Sequence, residues 1–380
     1  MPFAAALSEH PVPAHAAGEV IGTVLEAVGP APDLAVLFVT GPQAGALDDI
    51  AAAVRATLAP GVLIGCAAVS VVGGEREVEE HAAVVLWAGR FASVAPVHLE
   101  ALPTGDGVLL RGLPDDIEEG AALLLLADPF SFPADDVLTT LADRWPSLTV
   151  IGGLASAARG PGGNRLVVDG RVATEGAVGV VLPPGALAET VVSQGCRPIG
   201  DPWVVTRAER NVIYELGGRP ALERLMEMVE VLGEDERRAA ARGLHLGRVV
   251  DESKLEFRRG DFLIRNVLGA DKSVGAVAVG DAVDVGDTVQ FQVRDAASAD
   301  EDLRELLAGV DAQGALVFTC NGRGTHLFGE PDHDAGLVAT VVGSATAGMF
   351  CAGEIGPVGD RAFLHGFTAS VALFRDTEPA

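Results

Sequence analysis

Basic residues are scarce in this chain. Its 380 residues include 27 Lys or Arg against 53 Asp or Glu, a formal charge of −26 at pH 7. A nucleic-acid binder needs a cationic footprint to displace counterions from phosphate. The pairs Arg237–Arg238 and Arg258–Arg259 are isolated, so nucleic acid and anionic membrane are excluded as expected partners. Cysteine is also sparse. Cys66, Cys196, Cys320 and Cys351 are far apart and form no CxxC, which gives neither a zinc pattern nor a disulfide framework. No metal or cofactor is expected. The first twenty residues lack the basic start and apolar run of a secretory leader, and a cytoplasmic location is expected. The uncharged stretch Gly336 to Gly353 holds four glycines and has no cationic anchor. It reads as a buried helix running into a buried strand, and no membrane span is expected. Aromatics make up 5% of residues, with a single Tyr, so Val, Leu, Ile and Ala must fill the core.

What is present is a repeat. Leu34–Val39 is an apolar run of strand type, Leu47–Leu58 has helical spacing, and Val62–Cys66 and Ala82–Trp87 are further strands. The same order recurs over Ala122–Ala127, Ala134–Trp145, Thr149–Gly153 and Ala177–Leu182. Asp49 precedes Gly65 by sixteen residues, and Asp136 precedes Gly152 by sixteen. The last connection of the second copy contains Asp169-Gly170 between β-formers, a hairpin signal. A third, more degenerate copy runs through Ala315–Thr319, a helix from about His333, Met349–Cys351 and Phe367–Phe374. These patterns predict an α/β fold of two domains, with mixed sheets flanked by helices and internal strand–helix–strand–strand repeats. Residues 1–30 read as an extension with a first helix, 31–185 as an amino-terminal domain and 186–380 as a carboxy-terminal domain. In the latter, a hairpin is expected over 203–214, a helix from Pro220 to about Val231, and a capping box at Ser298–Glu301.

The first strand of each repeat ends in an unusual loop: Thr40–Gly45, Asp128–Pro133 and Cys320–His326. Carboxyl ends of strands commonly host ligands in α/β sheets. The third loop is chemically the richest, with Cys320, Asn321, Arg323 and His326 among glycines. Arg323 could grip a carboxylate or phosphate with two prongs. Glu354 sits between glycines just after Cys351 and could receive a ligand amine or act as a base. If the third repeat is real, Cys320 and Cys351 approach each other, with His326, His333 or His365 as possible bases. Arg197 and Arg207 are further candidates near the expected domain junction. No GxxxxGK[ST] occurs, which excludes a P-loop.

At these residues the chain resembles the FIST family, with both its amino-terminal and carboxy-terminal domains. The matching segments include Leu63–Cys66 with Gly73–Glu79, Val150–Gly153, Gly195–Pro198, Asn211–Leu216 and Gly260–Arg265. The strongest are Cys320–Gly324 and Ala352–Pro357 with Phe363–Phe367. The resemblance implies a sensory module of signal transduction that binds small molecules such as amino acids. It often accompanies signalling domains, and a version occurs in a eukaryotic F-box protein. No kinase, receiver, cyclase or F-box segment is recognised here, so output is expected through a signalling partner or self-association. The expected ligand-binding set is Cys320, Asn321, Arg323, His326, Cys351, Glu354, Arg207 and Arg197. The alternatives are an enzyme using Cys320 or Cys351 in acyl or amide chemistry, and a protein-interaction scaffold.

Overall fold

The structure is a computed structural model that describes residues 2–105 and 107–376. The chain forms two compact units: Met1–Ser193 with Leu303–Ala380, and Gln194–Asp302. The first is mixed α/β and contains all three repeats. In each, the first strand pairs parallel with the second and antiparallel with the fourth. These triplets are Leu34–Thr40, Val62–Ala68 and Val84–Gly89; Ala122–Ala127, Thr149–Leu154 and Ala177–Leu182; and Gly314–Cys320, Thr346–Cys351 and Thr368–Phe374. The first strands are continuous apolar runs because both their faces are covered. The intervening helices are Leu47–Thr57, Ala134–Arg144 and His333–Val342. The first two begin with exposed aspartates and end near an arginine, which suits the helix dipole. The third begins with Asp334, which is buried.

The hairpins that follow the second strands tie the repeats together. The hairpin of the first repeat, Ser70–Gly73 with Arg76–Glu79, adds to the sheet of the third. The hairpin of the second, Leu166–Val168 with Arg171–Ala173, adds to the sheet of the first. Asp169 and Gly170 both have positive φ at its turn, as expected from an Asp-Gly hairpin. The hairpin of the third, Glu354–Val358 with Arg361–His365, adds to the sheet of the second. The exchange closes a cycle. Phe38, Trp87, Leu124, Val180, Phe318 and Met349, drawn from all three repeats, lie in one shared core.

The second unit is different in kind. The strands Trp203–Glu209, Val212–Leu216, Ala276–Val279, Phe262–Asp271, Leu244–Val249 and Thr288–Arg294 pair antiparallel in that order. The last pairs back to the first, so the sheet closes on itself. Val205, Ile213, Val289 and Phe291 fill its core with Met228 from the helix Ala221–Val231. Two expectations need correction. Phe3–Ser8 is a strand pairing with Val84–Gly89, ahead of the first helix, Pro13–Val28. The capping box at Ser298 does not form: the helix starts at Ala296, and Asp295 accepts the Ser298 amide at 2.9 Å. The uncharged stretch is the helix His333–Val342 followed by the strand Thr346–Cys351. No helix among the described residues is long and apolar enough to cross a membrane.

One glycine recurs in the second strand of every repeat. Gly65, Gly152 and Gly348 stand opposite Leu37, Leu125 and Val317, and a Cβ there would lie 2.2, 1.8 and 2.0 Å from the neighbour's carbonyl oxygen. The approach leaves no room for a side chain. Gly65→Ala and Gly348→Ala should each cost about 3 kcal/mol or more by overpacking against backbone. Gly18→Ala, whose Cβ meets open space in a helix, should be neutral or stabilising by up to about 1 kcal/mol. Urea unfolding of the three variants checks the contrast; equal effects would refute the close-approach argument.

Candidate functional site

The register defines equivalent positions. Three residues beyond Leu37, Leu125 and Val317 stand Thr40, Asp128 and Cys320. Thr40 closes its repeat locally, accepting the Ala83 amide at 2.8 Å. Asp128 is buried and accepts from the Phe130 amide, Ser131 Oγ and Asn164 Nδ2 at 3.2, 2.7 and 2.8 Å. These two ends are satisfied internally. Cys320 is partly exposed, and the next residue, Asn321, is exposed, so solvent reaches the strand end of the third repeat.

Arg323 is wholly buried, and its two prongs are taken by the protein itself. Nε and Nη2 donate to Asp334 Oδ2 and Oδ1 at 2.7 and 2.8 Å. Thr319 Oγ1 adds a bond to Oδ2 at 2.7 Å, and His333 Nδ1 lies 3.0 Å from Oδ1. The His333 ring stacks on Phe328, whose face lies 5.3 Å from the Arg323 guanidinium carbon. Burial alone would raise the Asp334 carboxyl. The charge of Arg323 and the bonds from Arg323, His333 and Thr319 overcome it and hold the group well below the usual carboxylate range. Among the described residues, Arg323 Nη1 has no hydrogen-bond partner.

The exchanged hairpin of the first repeat braces this pair. Glu77 Oε1 accepts the Ala335 amide at 3.0 Å and Oε2 the Asp332 amide at 3.1 Å, while Asp332 Oδ1 accepts the Glu77 amide at 2.6 Å. Glu79 Oε1 accepts from the Thr325 amide and Oγ1 at 2.9 and 2.7 Å. Gly324 has φ +57, and a Cβ there would meet Glu79 at 2.7 Å. Burial and the neighbouring Asp334 charge push the Glu77 carboxyl up.

Glu354 opens the exchanged hairpin of the third repeat and is wholly buried. Its Oε2 accepts the Thr368 amide and Oγ1 at 3.1 and 2.9 Å; among the described residues Oε1 has no donor of good geometry. Burial raises the carboxyl to about 8, against partial offsets from the Thr368 bonds, the weak Cys320 thiol donor and Arg323. At neutral pH it is largely the neutral acid. Cys351 stands in register with Cys320, and burial pushes its thiol well up.

The structure thus brings Cys320, Arg323, Cys351 and Glu354 together, with Asn321 at the solvent edge. His326 is exposed on the short helix Thr325–Phe328. His365 is buried, with Nε2 3.0 Å from the Gly356 carbonyl. Arg197 and Arg207 belong to the second unit and have their own acids. Arg197 donates to Asp295 and Glu236 at 2.9 and 3.1 Å; Arg207 lies 3.5 Å from Glu215 and over the Tyr214 ring. Sequence reasoning missed Asp334, Thr319, Thr368, Glu77 and Glu79. Asp334 had a signal: it is the helix-start aspartate of the third repeat, where the first two repeats expose theirs. A separate groove of about 520 Å³ opens between Pro13–Val28 and Leu47–Thr57; its lining, including Ala17, Ile21 and Ile50, is mostly apolar.

A three-repeat α/β unit with a buried acid and guanidinium at one strand end, joined to a closed antiparallel sheet, is the class of molecule seen here. Residues 33–219 match the FIST N domain and residues 221–357 the FIST C domain. The chain belongs to the FIST family, whose domains are associated with sensory signal transduction and small-molecule binding. It is 47% identical over 358 residues to an uncharacterized protein of Mycobacterium tuberculosis, covering 92% of this chain and 93% of the relative. It is 45% identical to an uncharacterized protein of Mycobacterium bovis, covering 92% of each.

The raised carboxyls give stability a pH dependence of definite sign. A folded-state pKa above the unfolded value means that the native state holds the proton more tightly. The contribution is complete below the ordinary Glu value of 4.5 and is lost as pH climbs through the folded value, about 8 for Glu354. Unfolding free energy should fall between pH 5 and pH 9, by at most about 1.4 kcal/mol per pH unit for each group. Glu354→Gln should flatten the slope up to about pH 8, and Glu77→Gln should flatten it only up to about pH 7. Urea titrations across this range check it; a slope unchanged in Glu354→Gln would show that the carboxyl titrates normally.

Proposed function

We propose that this protein is a cytoplasmic sensor that binds an amino acid or a related amine-bearing metabolite at the strand end of the third repeat. Its binding groups are Glu354, Cys320, Asn321 and the unused Nη1 of Arg323. The observation that carries the reading is the pair of unsatisfied polar atoms, Glu354 Oε1 and Arg323 Nη1, on wholly buried side chains beside a solvent-reached loop. A buried polar atom without a partner costs about 1–3 kcal/mol, so a ligand that supplies the missing bonds recovers that cost on binding. Arg323 serves as a fixed donor rather than a two-pronged clamp, because Asp334 neutralises it. An ammonium group would displace the Glu354 proton, since an adjacent cation favours the charged carboxylate. Such a ligand therefore binds more tightly as pH rises towards 8. A signalling partner or a second copy of the chain carries the output.

Calorimetry against amino acids and amines at pH 6 and pH 8 tests this. A binder should gain affinity at the higher pH and release a proton at the lower. Glu354→Gln should weaken it at least about tenfold, the size of one lost charge-assisted bond. A ligand at 100 times its dissociation constant adds about 2.7 kcal/mol, so thermal denaturation across the panel is a second readout. No stabilisation by any compound would overturn the reading.

A further inference from the structure

Cys320 and Cys351 are direct neighbours on parallel strands, the last pair in the register that joins Gly314–Cys320 to Thr346–Cys351. Their side chains share a face. Phe318 and Leu316 lie in the same core cluster as Cys351 and Met349, whereas Val317 packs with Phe350 in another. Cys320, two residues past Phe318, therefore projects on the side of Cys351. In-register strand neighbours are about 4.8 Å apart, within the roughly 4.4–6.8 Å that a disulfide requires between α-carbons. The corresponding positions are Thr40 with Ala68 in the first repeat and Asp128 with Ala155 in the second, so the sulfur pair is peculiar to the third. Cys320 is reached by solvent, while Cys351 is not. Gly153 leaves the Cys351 sulfur its room: a Cβ there would lie 2.4 Å from Sγ. The buried Glu354 carboxyl interacts with both thiols.

We infer that Cys320 is a site of oxidation by hydroperoxides, and that Cys351 resolves the product as a reversible Cys320–Cys351 disulfide. In the first step the Cys320 sulfur attacks the outer peroxide oxygen. An S–O bond forms, the O–O bond breaks, and the thiol proton passes by way of Glu354 to the departing oxygen, which leaves as alcohol or water. The sulfur is oxidised to a sulfenic acid as the peroxide is reduced. In the second step the Cys351 sulfur attacks that of Cys320. The S–S bond forms, the S–O bond breaks, and the Cys351 proton leaves with the hydroxide as water. Two thiols and one hydroperoxide thus give one disulfide, one alcohol and one water. A disulfide with one partly exposed sulfur is of the reducible kind, which makes the change a switch rather than a staple. It removes the thiol that faces Glu354.

Intact mass and peptide mapping of the full chain after stoichiometric hydrogen peroxide test the inference. The expected result is a loss of two hydrogens, a cross-linked Cys320–Cys351 peptide, and reversal by dithiothreitol. In Cys351→Ala, which places the residue of the other two repeats at this position, oxidation should halt at a Cys320 sulfenic acid trapped by dimedone. In Cys320→Ser, Cys351 should stay reduced. A Cys320 that remains a thiol, passes directly to sulfinic acid in the unaltered chain, or pairs with Cys66 or a second chain would overturn it. The readout is mass, so failure here leaves the small-molecule reading standing.

Discussion

No sheet of the repeat-bearing unit is completed by its own repeat. Each takes its outer hairpin from another, first to third, second to first and third to second. The backbone amides and carbonyls of each second strand need that foreign partner, because an unpaired buried ladder is costly. The exchange therefore couples the three repeats. It also fixes the chemistry at the third strand end, since Glu77 and Glu79 arrive on the hairpin of the first repeat. Glu354 sits at the root of the hairpin that leaves for the second, opposite Gly153.

Within that frame the Arg323–Asp334 pair organises the site. A wholly buried guanidinium persists only with a counter-charge, and here the counter-charge is bidentate and further held by Thr319. Removing one partner would leave a buried charge exposed to low dielectric, at a cost of about 3–5 kcal/mol. The pair is thus a platform, and the groups it leaves with unused capacity are Nη1 and the Glu354 carboxyl. The same economy explains why equivalent positions differ. Thr40 and Asp128 spend their hydrogen bonds on closing their own loops, whereas Cys320 offers only a weak donor and leaves its end open.

Much of this was legible in sequence. The apolar runs and the matched Asp-to-Gly spacing in the first two repeats identify the strand–helix–strand–strand unit. The Gly-rich Cys320 loop and Glu354 stand out in the sequence as candidate binding residues. A cation near an expected junction looks available in sequence, whereas the fold sets Arg197 and Arg207 against acids of their own unit, Asp295 and Glu215. Arg323 makes a two-pronged grip, and the carboxylate it holds is Asp334 of the same chain. The closed sheet of the second unit could not be read, since closure depends on Leu244–Val249 and Trp203–Glu209 both pairing with Thr288–Arg294. No local pattern encodes that choice.

The sequence by itself determined the elements. Continuous apolar runs require strands covered on both faces, and an Asp-Gly between β-formers turns a hairpin. Gly65 and Gly152 mark where backbone meets backbone. Tertiary structure alone decided which sheet each hairpin joins, and hence which carboxylates surround Arg323. Hairpin pairing is a contact between segments distant in the chain, selected by how three apolar faces share one core. The ionisation of Glu354 was decided there too. A carboxyl's identity is written in the chain, but its pKa depends on the water and charge that folding removes or supplies.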